Sequence, residues 1–512
     1  MAKAKRKPRK STAVDAGKTY DVIVVGGGPA GSVLSWELAR RGVAVILVDR
    51  ARFPREKVCG DYVEPRGLRL LSAMGCLDEL EHNGPLPITH SATYIDSACR
   101  YRGRIPFYGL RDDLPPHGYI ISREVLDYEL LRTAAAAGAE IHQQTLVTNI
   151  VFDRQTVKLE ARKDGRRINL ESRLVIGADG VNSIVARSAG LLVNDPRHVA
   201  LSQRAYAEGL EGEMGEAAFF FEKDFFPGYG WMFPMGGGRV NLGVGVLSET
   251  AQRMNIKIPH LFQSFFDKLK RSHHRCAGLR LCRPPIGGIV KTYGGAGRNF
   301  FDYGLLIGDA GSFVDPMTGE GITPAMESAL LAAPVIVAAL ASGRLNPESL
   351  SAYESAFRGY FDPSMVFVDF CAATMRNRHF ADWWLSAVSR GCEVAQQDAD
   401  FARTAGACFG GLEIEPTSVL WHVWKNVVWE LAGAVPRTLL AMMKVDTGHP
   451  LSMAEDWWRW QFGAWNSFID DPVWHASWLI DLQTKWLHAV ALMSKGDGDP
   501  RSLGLAKQAA SG

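Results

Sequence analysis

The chain is 47% hydrophobic and 22% charged, a composition that excludes a fibrous or low-complexity protein. Its length of 512 residues allows about three domains, at roughly 100 to 200 residues per domain. The formal net charge of +2 conceals an asymmetry, because residues 1–20 contain seven Lys/Arg against one Asp, so the remainder is slightly acidic and shows no basic face for nucleic acid. Eight cysteines without a CxxC pair argue against a disulfide scaffold, and a reducing cytoplasm is the expected compartment.

Residues 1–19 form a stretch rich in lysine and arginine that lacks the apolar core of a signal peptide. This composition predicts a disordered basic tail, with attraction to anionic lipid head groups or to nucleic acid as the alternatives. Further along, the longest apolar run extends from Ala329 to Ala341 and contains Pro334, so it is shorter than the roughly 18 to 20 residues that span a bilayer. No transmembrane helix is expected.

The segment YDVIVVGGGPAGSVLSWELARRGVAVILVDR has the pattern of one βαβ unit. It predicts a buried strand at Val22–Val25, a helix at about Pro29–Arg40 and a second strand at Val43–Val48. Asp49 closes the second strand, where a carboxylate would accept hydrogen bonds from the adenosine ribose hydroxyls.

The glycines of this unit have separate roles. Gly26 and Gly28 permit a tight turn and let a pyrophosphate approach the backbone, whereas Gly31 lets the helix pack closely on the sheet. The N-terminus of the helix offers free N–H groups to the phosphate charge. The unit as a whole therefore predicts dinucleotide binding.

Four later segments carry further signals, in chain order. KVCGD, Lys57–Asp61, places a cysteine beside a glycine, and SREVLDY predicts a helix that Arg123 opens. LVIGADGVNSIVARSAG is an apolar strand leading to Asp179. YGLLIGDAGSFVDPMTGEGITPAMESALLAA is a buried strand leading to Asp309, followed by the glycine turn Gly319–Gly321 and a helix.

These segments, in this order, resemble the flavoprotein monooxygenase and reductase superfamily, which has the para-hydroxybenzoate hydroxylase type of FAD fold. The resemblance implies that FAD is the cofactor, that Asp309 accepts a hydrogen bond from its ribityl chain and that Arg123 lies along it. It also implies that the GEGI turn meets the flavin pyrimidine edge, where a helix N-terminus stabilises negative charge. The residues expected to bind FAD are Gly26, Gly28, Pro29, Ala30, Gly31, Asp49, Arg50, Cys59, Gly60, Arg123, Asp179, Gly180, Asp309, Pro316, Gly319, Gly321 and Ile322.

Within that superfamily, KVCGD together with PGYGWMFPMGGGRVNLGVGV, Pro227–Val246, resembles the geranylgeranyl reductase family, and the likeness covers roughly residues 20–345. In that family the thiol matching Cys59 lies over the isoalloxazine, and members reduce isolated double bonds of polyprenyl chains. Such an alkene needs hydride from flavin N5 and a proton in a dry cavity. A thiol of reference pKa about 8.5 is mostly protonated at neutral pH. Cys59 is therefore expected to be catalytic, a small buried hydrophobe being the alternative.

Tyr229, Trp231 and Phe233 alternate with period 2 and are predicted to project to one face of a strand, while Met232 points to the other. They are expected to line the substrate, with Tyr229 and Trp231 also assigned catalytic roles, and an ordinary sheet core is the alternative. Met235 stands where the family usually has lysine. This departure argues against recognition of a diphosphate or carboxylate head group at that position.

Flavin-dependent halogenases are the nearest competing branch, because their WxWxIP element occupies the same place. Here Tyr229 and Phe233 replace two of its residues, and Lys57 is not in the context expected for capture of hypohalous acid. An FAD-dependent monooxygenase or halogenase acting on an aromatic or carrier-bound substrate stays an alternative, and an electron-transfer flavoprotein to quinone is a second. With one GxGxxG unit visible, either NAD(P)H or a ferredoxin-like redox partner would supply electrons, and the sequence does not choose.

Twelve of the fourteen tryptophans lie between Trp383 and Trp486, at spacings that predict helices. Their side chains would form a helix-packing core, a lid over a bulky apolar substrate, or a surface at a membrane interface. The segment SHHRC, Ser272–Cys276, matches no common zinc-ligand spacing, and no metal is expected.

These patterns together predict an α/β protein with a three-layer ββα FAD-binding (Rossmann-like) domain, an antiparallel β-sheet substrate domain and a C-terminal α-helical domain. We expect it to reduce isolated C=C bonds of an isoprenoid or other lipid-like substrate, in the cytoplasm or peripherally at a membrane surface. The predicted bounds are 1–19 for the basic tail, 20–195 for the first part of the FAD-binding domain with substrate-sheet strands near 90–105, 196–295 for the substrate domain, 296–345 for the last FAD-binding part, 346–495 for the Trp-rich helices and 496–512 for a disordered tail.

Overall fold

The computed structural model describes residues 19–104, 114–153, 156–212, 215–224, 226–399, 401–402 and 468–493. The predictions made for the basic tail, for the tryptophans from 421 to 465 and for the tail after 496 lie outside the described residues. The division into domains also stays a prediction.

The strands, numbered along the chain, are β1 (Thr19–Val25), β2 (Val45–Val48), β3 (Tyr62–Val63), β4 (Pro87–Ile88), β5 (His90–Ile95), β6 (Ala98–Arg104), β7 (Gly118–Ile120), β8 (Glu140–His142), β9 (Thr145–Phe152), β10 (Val157–Lys163), β11 (Arg166–Gly177), β12 (Val199–Glu208), β13 (Glu216–Phe221), β14 (Tyr229–Gly236), β15 (Arg239–Leu247), β16 (Arg280–Leu281), β17 (Ile286–Lys291), β18 (Phe300–Phe301) and β19 (Gly304–Leu306). The helices are α1 (Pro29–Arg40), α2 (Pro65–Ala73), α3 (Leu77–Glu81), α4 (Arg123–Ala136), α5 (Ile184–Ser188), α6 (Ser248–Arg253), α7 (Ile258–Ser272), α8 (Ile322–Ser342), α9 (Pro347–Leu350), α10 (Ala352–Met375), α11 (Ala381–Gln397) and α12 (Pro472–Met493).

The first sheet has the order β18-β19-β11-β1-β2-β8, in which the strands from β19 to β8 run parallel. Strands β9 and β10 continue antiparallel from β11. Side chains of β1 divide between two cores, because Val22 and Val24 pack with the helices whereas Ile23 and Val25 pack with the antiparallel strands. A strand buried on both faces has a continuous run of apolar residues, and this run is what predicts β1 from the sequence.

The second sheet has the order β16-β12-β15-β14-β13-β5-β6, with β17 also on β12, and its pairs are antiparallel except for β13 with β5. One face packs on α7 through residues such as Phe262 and Phe265. The opposite face carries Trp231 and Phe233 and meets α10 and α11. The predicted fold class is confirmed, with two eight-stranded sheets, a three-stranded sheet of order β3-β7-β4 and C-terminal helices α9–α12.

Helix α8 is, among the described residues, the one helix long and apolar enough to cross a membrane, with a mean hydropathy of 1.8 over its most apolar window. Half of that window is buried inside the protein, and the helix packs beside α1 with Met326, Ala329 and Ala333 fully enclosed. These contacts are those of a core helix.

Candidate active site

A cavity of about 790 Å³ lies between the carboxyl ends of the parallel strands and the second sheet. Ligand sites in open α/β sheets form at such strand ends. The predicted residues that line it are Gly26, Gly28, Pro29, Ala30, Asp49, Arg50, Cys59, Gly60, Arg123, Asp179, Gly180, Tyr229, Trp231, Phe233, Asp309, Pro316, Gly319, Gly321 and Ile322. Gly31 is not among the lining residues, and its contribution is to helix packing.

The glycine turn is held by close backbone contacts. Gly26 has φ +107°, and a Cβ there would lie 2.3 Å from the carbonyl oxygen of Ala178. A Cβ on Gly31 would lie 1.9 Å from the carbonyl oxygen of Gly26. Gly28 is the N-cap of α1 and provides no side chain to cap it. The first N–H groups of α1 are thus available to an anion.

Asp49 holds the same turn from the neighbouring strand. Its Oδ2 accepts a hydrogen bond from Gly27 N at 2.7 Å, and its Oδ1 accepts one from Ala51 N at 2.7 Å. A carboxylate oxygen has two lone pairs, so both can still accept from a hydroxyl group. The ribose contact stays a prediction, and positioning of the glycine turn is an additional role that the sequence did not reveal.

Two guanidinium groups lie beside the α1 N-terminus. A Cβ on Gly28 would be 3.7 Å from Nη2 of Arg55 and 3.9 Å from Nη2 of Arg123. Arg123 opens α4 as predicted and makes a two-point ion pair with Asp127, at 2.7 and 2.9 Å, while Arg55 lies 3.2 Å from the same carboxylate. The site therefore has an excess of positive charge suited to a diphosphate. Arg55 was missed, although it stands two residues before Lys57, where the KVCGD motif begins.

Cys59 lies between Arg123 and the second sheet. Burial raises the pKa of its thiol above the ordinary value, against the lowering field of the Arg123 guanidinium. The thiol is therefore protonated at neutral pH, as a proton donor requires. Gly60 also lines the cavity, but the place of its missing Cβ is 3.1 Å from the Phe233 ring. Its small size thus serves contact with the second sheet.

Asp61 and Asn241 form a polar network that sequence reasoning missed. Asp61 Oδ2 accepts hydrogen bonds from Tyr206 Oη at 2.5 Å and from Asn241 Nδ2 at 2.8 Å, and Asn241 Nδ2 also donates to the carbonyl of Cys59 at 2.9 Å. These bonds tie the cysteine turn to β12 and β15. The KVCGD motif contains Asp61, but its partners lie about 145 and 180 residues further along the chain.

Asp61 makes stability depend on pH in a testable way. Burial raises the pKa of Asp61 to about 6, whereas the unfolded chain releases this proton near the ordinary value of 3.8. Between these values the folded state holds more protons, so the free energy of unfolding falls as pH rises. We expect the stability of Asp61→Asn, relative to the parent, to improve by roughly 2 to 3 kcal/mol from pH 4 to pH 7. Urea unfolding across that range measures it, and a difference independent of pH would contradict it.

Tyr229, Trp231 and Phe233 lie on one face of β14, and Met232 packs on the α7 side. Successive ring centroids are 6.1 and 6.4 Å apart. Tyr229 donates its hydroxyl hydrogen to the carbonyl of Thr318, and Trp231 Nε1 donates to Asn241 Oδ1 at 3.0 Å. Their polar atoms are thus bound within the protein, and an aromatic wall remains. Direct catalytic roles for Tyr229 and Trp231 stay predictions.

The segment that runs from Asp309 to the glycine turn before α8 closes the far end of the cavity. Asp309 faces it and lies 3.2 Å from Lys57 Nζ. Gly319 has φ +67°, and Gly321 is the N-cap of α8 without a side-chain cap. The carboxylate of Asp179 accepts hydrogen bonds from Ser183 Oγ and Ile184 N, at 2.5 and 2.6 Å, and so fixes the start of α5.

The cavity fits FAD. A glycine cradle with two guanidinium groups lies at one end, and the N-terminus of a 21-residue helix, whose N-cap is Gly321, lies at the other. Gly26, Gly28, Asp49, Arg55 and Arg123 would hold the adenosine diphosphate half. The remaining half would then extend toward Cys59 and the start of α8.

Comparison with known proteins also supports FAD as the cofactor. Residues 19–207 match the family model described as FAD binding domain. The menaquinone reductase of Mycolicibacterium smegmatis is 32% identical over 332 residues, covering 61% of this chain and 75% of that protein. The digeranylgeranylglycerophospholipid reductase 2 of Methanothermobacter thermautotrophicus is 30% identical over 346 residues, covering 66% and 83%.

Two solved structures share the fold. A geranylgeranyl bacteriochlorophyll reductase-like protein from Thermoplasma acidophilum superposes with a TM-score of 0.65 at 20% identity, covering 81% of this chain and 99% of that one. The flavin-dependent halogenase CmlS gives a TM-score of 0.60 at 23% identity, covering 72% and 66%. On the sequence relationship and the cradle together, the chain is an FAD-dependent oxidoreductase that belongs to the geranylgeranyl reductase family.

Proposed function

We propose that this oxidoreductase reduces isolated C=C bonds of an isoprenoid or another lipid-like substrate. The observation that carries the proposal is the continuity of the cavity, which runs from the dinucleotide cradle past Cys59 to a wall of Phe219, Tyr229 and Phe233. Met317, Ala372 and Met375 complete the apolar side. A slot of this kind favours an apolar chain, since it offers little to compensate a buried charge.

The residues match what such a reaction demands. Bound FAD, once reduced, supplies the hydride. An unpolarised alkene also needs a proton on its other carbon, delivered where water is excluded. The protonated Cys59 thiol holds one, and Asp61 with Asn241 fixes the backbone that carries it. The relatives named for a glycerophospholipid and for menaquinone support a lipid substrate class.

The test is anaerobic reduction of the flavoprotein followed by addition of geranylgeranyl or polyprenyl lipids. Flavin reoxidation together with a gain of two hydrogens in the substrate mass supports the proposal. Rapid reoxidation by oxygen alone, through a C4a-adduct spectrum, would support the monooxygenase or halogenase alternative. Lys57, which that alternative would use, is paired with Asp309. Reduction with NAD(P)H and with a ferredoxin-like protein in parallel assays identifies the electron donor.

Replacement of the thiol tests its role as a proton donor. We expect Cys59→Ser to slow single-turnover substrate reduction by about 100-fold or more, because a positioned acid contributes roughly 10² to 10⁴. Flavin content should be unchanged. Cys282→Ser, at an exposed thiol, is the matched control. A parental rate in Cys59→Ser would remove the thiol from the mechanism.

We further propose that the protein is cytoplasmic and rests peripherally on a lipid bilayer through α12. The charged residues of this helix, Asp481 and Lys485, face inward to Arg376 and Asp369. Its outer side is rich in aliphatic residues, with Val473, Ile480 and Leu487 exposed by 80%, 66% and 59% and with Ser477 and Thr484 between them. An uncharged aliphatic surface of this kind marks an interaction site. A bilayer is the occupant that suits it, since α10, on which α12 packs, also lines the cavity and a lipid substrate must leave a membrane.

Vesicle flotation tests this contact. We expect the double variant Ile480→Glu/Leu487→Glu to bind phosphatidylcholine vesicles at least about tenfold more weakly, because two buried aliphatic side chains are lost from the interface. Val193→Glu, which changes a valine exposed by 44% elsewhere, should bind as the parent does. Equal flotation of all three proteins would contradict the contact.

A further inference from the structure

A cluster of buried carboxyl groups lies under the α8 end of the cavity and is not used by the proposed reaction. Glu64 precedes α2, Glu320 precedes α8 and Glu327 lies one turn into α8. Glu64 and Glu320 both line the cavity that holds the FAD cradle. Glu64 and Glu327 are 1% and 0% exposed.

Hydrogen bonds are distributed unevenly among the three groups. Glu327 receives Tyr360 Oη at 2.7 Å and lies 3.4 Å from Arg66 Nη2. Glu320 Oε1 accepts from Thr323 N at 2.9 Å. Glu64 lies 3.3 Å from Arg66 Nη2 and beside the Thr323 side chain, yet among the described residues neither of its oxygens meets these groups with good hydrogen-bonding geometry. Glu64 is therefore an enclosed carboxyl group that lacks the bonds an ionised carboxylate requires.

The charges facing these groups do not compensate three carboxylates. Among the residues that the structure describes, Arg66 at the start of α2 is the cation that faces these groups, whereas Asp315 before the GEG turn adds a further carboxyl, and Tyr62 on β3 and Tyr360 on α10 add hydroxyl groups. Burial, with Glu320 alongside, raises the pKa of Glu64 well above its ordinary range. Burial raises the pKa of Glu320 to about 8. Both shifts favour the protonated, neutral form of the carboxyl group.

The position of Glu64 and Glu320 in the cavity relates their protonation to the redox state of the cofactor. With the phosphates held at the α1 cradle, the electron-accepting ring of bound FAD would lie in the remaining part of the cavity, which Cys59, Glu64, Glu320 and the N-terminus of α8 line. Two-electron reduction adds negative charge to that ring. A neutral carboxyl pair tolerates this charge, whereas a carboxylate beside it is repelled.

We propose that Glu64 and Glu320 form a redox-coupled proton site, which takes up a proton from solvent when the bound FAD is reduced at alkaline pH. Two electrons then enter FAD from the reductant with the proton that the cofactor itself binds, and one additional proton converts a carboxylate of the pair to its acid. At neutral pH the pair already holds its protons and adds none. The inference depends on FAD binding and not on the identity of the substrate.

The experiment is potentiometric titration of the holoenzyme with dithionite between pH 6 and pH 10. In the parent, the dependence of the midpoint potential on pH should steepen above about pH 8 by one proton per two electrons, in line with the pKa of Glu320. Glu320→Gln and Glu64→Gln should lack this steepening. Glu56→Gln is the control, because Glu56 also lines the cavity but is paired with Arg204 at 2.9 Å.

A second measurement does not depend on turnover. Infrared spectra of the apoprotein at pH 7 should show protonated-carboxyl C=O bands that disappear in Glu64→Gln and Glu320→Gln. The coupling is overturned if the parent and both variants show the same dependence of potential on pH. It is also overturned if the carboxyl bands are absent at pH 7. Since neither readout involves an alkene, failure of the proposed substrate class would leave both results interpretable.

Discussion

Gly31→Ala should purify without FAD, with an affinity for the cofactor at least about 100-fold lower than that of the parent. The added methyl group would sit 1.9 Å from the carbonyl oxygen of Gly26 and 3.2 Å from Cβ of Ala178. The carbonyl cannot yield easily, since Gly26 N donates to Val48 O at 2.8 Å and fixes the turn on β2. Helix α1 must then move away from the sheet, and the N–H groups at its N-terminus no longer point toward the phosphates.

Flavin absorbance of the purified protein and a titration with FAD measure the loss. Gly359→Ala is the matched control, because Gly359 lies in α10 with nothing within 4 Å of an added Cβ. Circular dichroism should show the parental helix content in both variants, since only the local contact of one helix changes. Retention of one FAD per chain in Gly31→Ala would contradict the role assigned to this glycine.

The sequence predicted the parts of the site whose signals are local. Helix α1 has the bounds that were expected, and Gly26, Asp49 and Asp309 reach one cavity because each follows a strand of one parallel sheet. Arg123 reaches the same cavity from the start of α4, after β7 of the three-stranded sheet. Carboxyl ends of parallel strands meet at one edge, so a correct strand assignment suffices to bring such residues together.

Contacts between distant segments could not be predicted in this way. The hydrogen bond from the Trp231 indole to Asn241 is one of them, because β15 brings Asn241 beside Trp231. Glu64 and Glu320 are 256 positions apart, and each looks like an ordinary polar residue beside a proline or a glycine. Helix α12 shows a related difficulty, because its ion pairs with α10 turn its polar side inward. Side-chain polarity alone predicts the opposite orientation.

Arg66→Met should be the most destabilising single substitution among those considered for this site. Arg66 is 8% exposed and is the cation between Glu64 and Glu327. Removing one partner of a buried ion pair leaves an uncompensated charge and costs about 3 to 5 kcal/mol. By contrast, Arg132→Met changes a side chain that is 54% exposed and paired with Glu129, so it should cost less than about 1 kcal/mol.

The loss in free energy of unfolding caused by Arg66→Met should also depend on pH, and its sign follows from the buried carboxyl groups around Arg66. Glu64 already favours the protonated form in the parent, so the change falls on Glu327. Without the guanidinium, the folded state avoids an unpaired carboxylate by keeping a proton on Glu327, while the unfolded chain releases that proton above the ordinary glutamate pKa of 4.5. The folded state then binds more protons, and its stability falls as pH rises. Urea unfolding should therefore show a larger deficit for Arg66→Met at pH 8 than at pH 5, and Glu327→Gln in the same chain should recover part of it. An equal deficit at both pH values would mean that the methionine disturbs packing alone, and that the carboxyl groups do not depend on the guanidinium for their charge.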